Sequence, residues 1–339
     1  VMMMLLSCVE DEDINGNGNG KGWEKEWEGG ISGITMTPSN NIYVGGGGGV
    51  SEITVFGYDG KEILNKEWSG DEMTTGFPSI ISDESENIYT AGSNSLLKKP
   101  LLIKFDKDLN ELWREELPED GLNVDALSID NSENIIAGMR NGDILKFSPE
   151  GKELWHHNIS TENAKGQINA LAVDSEGNIY AGGLAWNDLF GESAGGSDAF
   201  LVKIAPDKTH IWEKQWGGTG DDASRALVYD EIEDTIYVAG GRASMIKKFS
   251  KDGKELWQLE GHGVLSMTQD DQGNVFIGSG DVESLVEKYN LNGEKIWGSA
   301  VYKDAIAHAI ACDSYGNVYA AGVQNNNNFL IKISASEME

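Results

Sequence analysis

The chain is poor in positive charge, in proline, in cysteine and in long apolar runs. Only four of its 26 basic residues are arginine, at positions 114, 140, 225 and 242, and its formal net charge is −30. A surface of that sign repels phosphate backbones over a Debye length of about 8–10 Å, and no basic stripe interrupts it, so nucleic-acid binding is excluded. No apolar run approaches the roughly 18 residues that a membrane-spanning helix needs. Two cysteines, Cys8 and Cys312, cannot build a disulfide framework. Six prolines against 43 glycines point to many tight turns between short elements. What is present is apolar and aromatic material, with ten Trp, ten Tyr and nine Phe in 339 residues, enough for a packed core and against wholesale disorder.

That material repeats. The stretches ITMTPSNNIYVGG from 34, IISDESENIYTAG from 80, LSIDNSENIIAG from 127 and LAVDSEGNIYAGG from 171 are copies of one pattern, and three more begin at 227, 267 and 310. A third apolar run follows (LLIKF from 101, DILKF from 143, FLVKI from 200, FLIKI from 329), then a turn and a fourth run ending in forms such as GKELW. Each unit reads as four strands of β-branched and aromatic residues bounded by Asp, Asn and Gly. Four strands at a period of roughly 40–50 residues are the mark of propeller blades. The seventh copy stops after three runs, while GWEKEWEGG near the N-terminus is a spare fourth strand, almost the text IWEKQWGG from 211. The expected fold is therefore all-β, a seven-bladed propeller of four-stranded antiparallel blades, closed by the N-terminal strand with Trp23 and Trp27 completing the last blade.

These copies resemble the SBBP-type propeller repeats of bacteria, most closely in AVDSEGNIYAGG, DAFLVKI and IWEKQWGG, and their GKELW ends are similar to the PQQ-like repeats of assembly-factor and quinoprotein propellers. The resemblance covers residues 22–335 and speaks to fold, because one propeller scaffold serves many tasks.

Residues present in every blade, such as the Trp of the fourth strand, the Lys of the third (Lys104, Lys146, Lys203) and the turn aspartates (Asp83, Asp130, Asp174), are read as packing. Function is sought where the copies differ. The position just before the innermost-strand core holds Ser32, Pro78, Asp125, Asn169, Arg225, Leu265 and His308. Converging at the channel mouth, Asp125, Asn169, Arg225 and His308 form a candidate site for a small polar ligand, and Asp125 with His308 a candidate acid–base pair. The plainer reading is that a wet channel mouth tolerates polar side chains. Blade four carries an insertion, LAWNDLFGESAGGSD over 184–198, whose Trp186, Leu189 and Phe190 are expected to contact a partner from a long loop, or else to fold back on the neighbouring blade.

No metal site is expected: His156 and His157 are adjacent on a strand and point to opposite faces, and His262 stands alone. Gly45 to Gly49 lack the Lys-Ser/Thr and the helix of a phosphate cradle and read as a loop. Cys312 occupies a slot held by Val173 in another copy and reads as core. No cofactor is implied, since vicinal cysteines and a haem-attachment motif are absent.

At the N-terminus, Leu5-Leu6-Ser7-Cys8 resembles a bacterial lipobox, which implies acylation of Cys8. Residues 1–7 are then a residual signal peptide, 8–21 an acidic, Gly/Asn-rich tether and 22–335 the propeller. The run Asp11, Asp13, Asn15, Gly16 matches half an EF-hand loop but meets Gly22 where the loop needs a glutamate. The expectation drawn from the whole is a monomeric, non-catalytic module, lipid-anchored at the outer membrane or cell surface, that binds a protein, peptide or glycan of the cell envelope. Its membrane contact is through the anchor alone. The alternative is a propeller enzyme, a quinoprotein-like oxidoreductase or a lyase or hydrolase, with its site at the channel mouth.

Overall fold

Runs of three to nine residues rich in Ile, Val, Tyr and Phe form the strands, and Asp-led turns separate them. In the first hairpin of blade 4, Asp174 Oδ1 accepts the backbone N–H groups of Glu176 and Asn178, at 3.1 and 2.8 Å. The protein is seen in a computed structural model that describes residues 22–338, except 28–29, 48–49, 69–75, 95–98, 118–122, 241–244, 261–262, 281–283 and 300–304. The described strands make seven four-stranded antiparallel sheets.

Six sheets take four consecutive strands. The seventh takes Ala305–Cys312, Val318–Gln324 and Asn327–Ile333, then Trp23–Trp27 from the other end of the chain. Trp23 pairs with Lys332 and Trp27 with Asn328, which closes the ring as the sequence predicts. The innermost strands touch in succession, and that of blade 1 (Gly33–Met36) meets that of blade 7.

No blade buries both of its faces alone. Seven apolar clusters fill the spaces between neighbours, one for each of the seven interfaces. At four of the interfaces the Trp of the fourth strand fastens one blade to the next: the indole N–H donates to a carbonyl in the following blade for Trp23 (Tyr58 O, 3.0 Å), Trp113 (Pro149 O, 3.0 Å), Trp212 (Lys251 O, 2.8 Å) and Trp257 (Leu291 O, 3.2 Å). Beneath the Trp212 ring lies Gly253, whose φ is +77° and whose missing Cβ would fall 2.7 Å from Trp212 Cδ2. Both the backbone conformation and the aromatic lid demand glycine there. Gly253→Ala is expected to cost about 1–3 kcal/mol, read as a lower urea midpoint at unchanged slope; an unchanged midpoint would mean the ring does not rest on that turn.

The repeated Lys and Asp residues are structural. Lys203 Nζ lies 3.1 Å from Asp174 Oδ2 and 4.9 Å above the Tyr180 ring, and Lys104 repeats the arrangement with Asp83 and Tyr89.

Candidate functional site

The innermost strands of blades 3 to 7 share an irregularity. Their pairing with the second strand slips by one residue between Val124 and Ala126, Ile168 and Ala170, Ser224 and Ala226, Val264 and Ser266, and Ala307 and Ala309. The extra residues are Asp125, Asn169, Arg225, Leu265 and His308. A β-bulge turns one side chain out of the pleat, and here five of them deliver the variable position of the repeat to one opening. With Ser32 and Pro78, which precede the innermost strands of blades 1 and 2, they line a cavity of about 210 Å³ at the channel mouth. Apolar residues two positions on, Leu127, Leu171 and Leu227 among them, line the same cavity. The bulge also explains a glycine: a Cβ at Gly322, across from the slip, would overlap the carbonyl of Ile306, two residues before His308.

The four polar residues named from the sequence are brought together, but in two different states. Asp125 Oδ2 accepts from Arg140 Nε at 2.7 Å and from Gln167 Nε2 at 3.3 Å. Asn169 accepts from Gln167 Nε2 at 2.9 Å and donates to the Ser224 carbonyl in blade 5 at 3.1 Å. Those two residues are fixed. The side chains of Arg225 and His308 are exposed to the opening, and among the described residues neither has a hydrogen-bond or ion-pair partner. Partial desolvation by the channel wall lowers the His308 pKa below the ordinary imidazole value of 6.5, so the ring is neutral at pH 7. An Asp125–His308 acid–base pair is therefore corrected: Asp125, in blade 3, is committed to Arg140, and His308, in blade 7, stands without it. Arg140 and Gln167 are site residues that the sequence did not disclose, because neither occupies the variable position.

The insertion of blade 4 is a strand extension before it is a loop. Strands Ile179–Trp186 and Ser197–Ile204 run on as a hairpin, and Trp186 lies on the first of them, opposite Lys165. Leu189 and Phe190 fold back and are half-buried against the cluster between blades 3 and 4. The Phe190 ring meets Phe200 edge-on at 5.4 Å, and its backbone N–H donates to Gln215 Oε1 at 2.9 Å. The plainer of the two sequence readings describes these two residues, and Trp186 alone remains exposed. It walls a second cavity of about 540 Å³, lined also by Arg140, which connects it to the channel mouth through Asp125.

His156 and His157 do face apart: His156 Nε2 lies 2.6 Å from Asp143 Oδ1, while His157 Nε2 lies 3.0 Å from His210 Nε2 in the next blade. Cys312 is partly buried against the core of blades 6 and 7, and burial pushes its thiol pKa far up, which leaves it a packing residue. Gly45 and Gly46 end a strand, Ile42–Gly46, rather than forming a loop. Cys8, the half EF-hand and His262 lie outside the described residues.

A family model described as outer membrane protein assembly factor BamB matches residues 12–188, just over half of the chain. No curated protein matches. Among solved structures, 801 chains match. A streptogramin B lyase is similar with a TM-score of 0.68 and 10% identity, over 91% of this chain and 97% of its own. Virginiamycin B lyase from Staphylococcus aureus is similar with a TM-score of 0.68 and 9% identity, over 92% and 100%. A catalytically inactive form of that lyase with one histidine replaced by alanine, solved with Quinupristin, gives 0.67 and 10%, over 92% and 100%. At such identities the likeness shows the fold alone. It nonetheless corrects the expectation of a non-catalytic, protein-binding module, because propellers that superpose over nine-tenths of this chain are described as lyases. The family match supports a location at the cell envelope. The chain belongs to the family described as outer membrane protein assembly factor BamB.

Proposed function

We propose that the protein is a cell-envelope lyase whose chemistry takes place at the channel mouth, with His308 as general base and Arg225 as the group that stabilises developing negative charge. The observation that carries this reading is the bulge-presented pair itself: a neutral imidazole and a guanidinium, both without partners among the described residues, at one small opening of a strongly acidic protein. Elimination asks for those two groups. His308 takes a proton from the carbon next to a carbonyl; that electron pair becomes the new C=C bond as the β C–O bond breaks. The departing oxygen receives a proton from the imidazolium or from water, and Arg225 faces the carbonyl oxygen while it carries charge. Asp125, held by Arg140 and Gln167, serves as a fixed anion rather than an acid. The likeness to propellers described as lyases supports the same class. The test is ultraviolet detection of a conjugated double bond after incubation with quinupristin or trigalacturonate. Product from the wild type and at least about a hundredfold slower product from His308→Ala is expected; equal rates from both would remove His308 from the mechanism.

The lipid anchor on Cys8, with 8–21 as tether and 22–335 as propeller, remains part of the proposal on the strength of Leu5-Leu6-Ser7-Cys8. Protein made in bacteria behind a complete lipoprotein signal is expected to partition into detergent phase, and Cys8→Ala to stay aqueous. Equal partitioning of the two would refute acylation at that residue.

A further inference from the structure

Nine of the ten tryptophans are partly buried on fourth strands, where they pack between blades. Trp186 departs from that rule. It ends a second strand, has no counterpart in the other copies, and is 39% exposed on the wall of the 540 Å³ cleft between blades 3 and 4. Such a volume is within the range of small-ligand sites.

Asn158 and Ser160 of the same wall already have partners. Asn158 Nδ2 donates to the Asn141 carbonyl at 3.3 Å and to Asp143 Oδ1 at 2.6 Å. Ser160 Oγ donates to the same carbonyl at 3.1 Å and accepts the Gly166 N–H at 3.1 Å. What faces the cleft with capacity to spare is cationic. Arg140 gives its Nε to Asp125 and keeps its terminal amino groups, and Lys165 gives a single bond, to the Thr161 carbonyl at 3.1 Å. One carboxylate, that of Glu162, shares the lining. In a chain of net charge −30 with four arginines, placing Arg140 and Lys165 beside an exposed indole makes a local seat for a ring that carries negative charge.

We infer that the cleft binds an acidic saccharide, with the C–H face of a pyranose on Trp186 and a ring carboxylate toward Lys165 and Arg140. The inference rests on the lyase reading in one respect: a 4-linked uronate has both a proton on the carbon bearing the carboxylate and a β-oxygen to expel, so the ring held at the channel mouth, beyond Arg140, is a substrate for elimination. The C5–H bond breaks to His308, a C4–C5 double bond forms, and the C4–O bond breaks to release the preceding sugar as a hemiacetal, its oxygen taking a proton from the imidazolium or from water.

Binding is separable from turnover and is measured on the His308→Ala protein by titration calorimetry, with trigalacturonate as the probe and maltotriose as its neutral counterpart. Trigalacturonate is expected to bind at least tenfold tighter than maltotriose, more weakly as salt is raised. A further Trp186→Ala or Lys165→Glu change, each at an exposed position, is expected to weaken it at least tenfold without moving the thermal melt. Equal binding of the two sugars, no binding of trigalacturonate, or affinity untouched by both substitutions would overturn the inference. Tight, Trp186-dependent binding without any unsaturated product from the wild type would instead sink the lyase reading and leave the saccharide site standing.

Discussion

Removal of residues 1–29 is expected to bring the propeller close to unfolding, whereas removal of residues 1–21 leaves every described contact in place. The difference between the two truncations is the strand Trp23–Trp27, which pairs along five residues with Asn327–Ile333. Its two indoles are half-buried between blades 7 and 1, Trp23 against Tyr319 at 6.1 Å and Trp27 against Phe56 at 5.5 Å, and the Trp23 N–H reaches across to Tyr58. Truncating a well-buried Trp costs about 3–5 kcal/mol, and half-buried ones cost less, so the pair contributes about 4–6 kcal/mol before the lost ladder is considered. Domain stabilities of about 5–15 kcal/mol do not absorb such a loss easily. The bare edge of FLIKI would also invite strand addition from a second molecule. Trp23→Ala with Trp27→Ala is expected to reproduce most of the effect in a full-length chain. Equal melting temperatures for the two truncations would mean that the N-terminal strand does not close the ring.

His308→Ala is expected to lower kcat/KM for elimination by about 10²–10⁴, the range in which positioned general bases operate. Arg225→Ala is expected to cost about 10²–10³, as loss of one preorganised charge-stabilising group does. His157→Gln, at the outer edge of blade 3, is expected to leave kcat/KM unchanged, because its contacts are to His210 and not to the channel. The two channel substitutions lie on exposed side chains, so their thermal melts should match the wild type. A loss of rate in His157→Gln equal to that in His308→Ala would point to a general structural fault rather than to a base.

The blade count, the closing strand and the channel-mouth position were legible in the sequence because each is written seven times, or conspicuously fewer. ITMTPSNNIYVGG and its copies keep one turn between two apolar runs, five residues from Asp to Ile or Val in five of them, and the spare GWEKEW matches the strand missing after FLIKI. The bulges were not legible. A slip of one residue adds no apolar signal, and the glycines that accompany it, such as Gly322, look like ordinary turn formers until the neighbouring carbonyl is seen. Arg140 and Gln167 were hidden for a related reason: they bond to Asp125 from 15 and 42 residues away, Arg140 across the first hairpin of blade 3 and Gln167 through the packing of blade 4 against blade 3. The insertion misled in a different way. Leu184 to Trp186 continue the alternation of their strand, but the Asn-, Gly- and Ser-rich text that follows reads as loop, which hides that Trp186 ends a strand paired on both sides.

The imidazole of His308 decides the account, and its titration is measurable. In a proton–nitrogen correlation spectrum of the imidazole groups, the His308 signal is identified by its loss in His308→Ala. Burial lowers its pKa, so the ring should titrate below 6.5. A base must be neutral to work, hence kcat/KM should be lost as pH falls through that same value and be level above it. Coincidence of the titration with the acid limb of the rate profile is the expected result. An acid limb at a different pH, or one that persists in residual His308→Ala activity, would contradict His308 as the base.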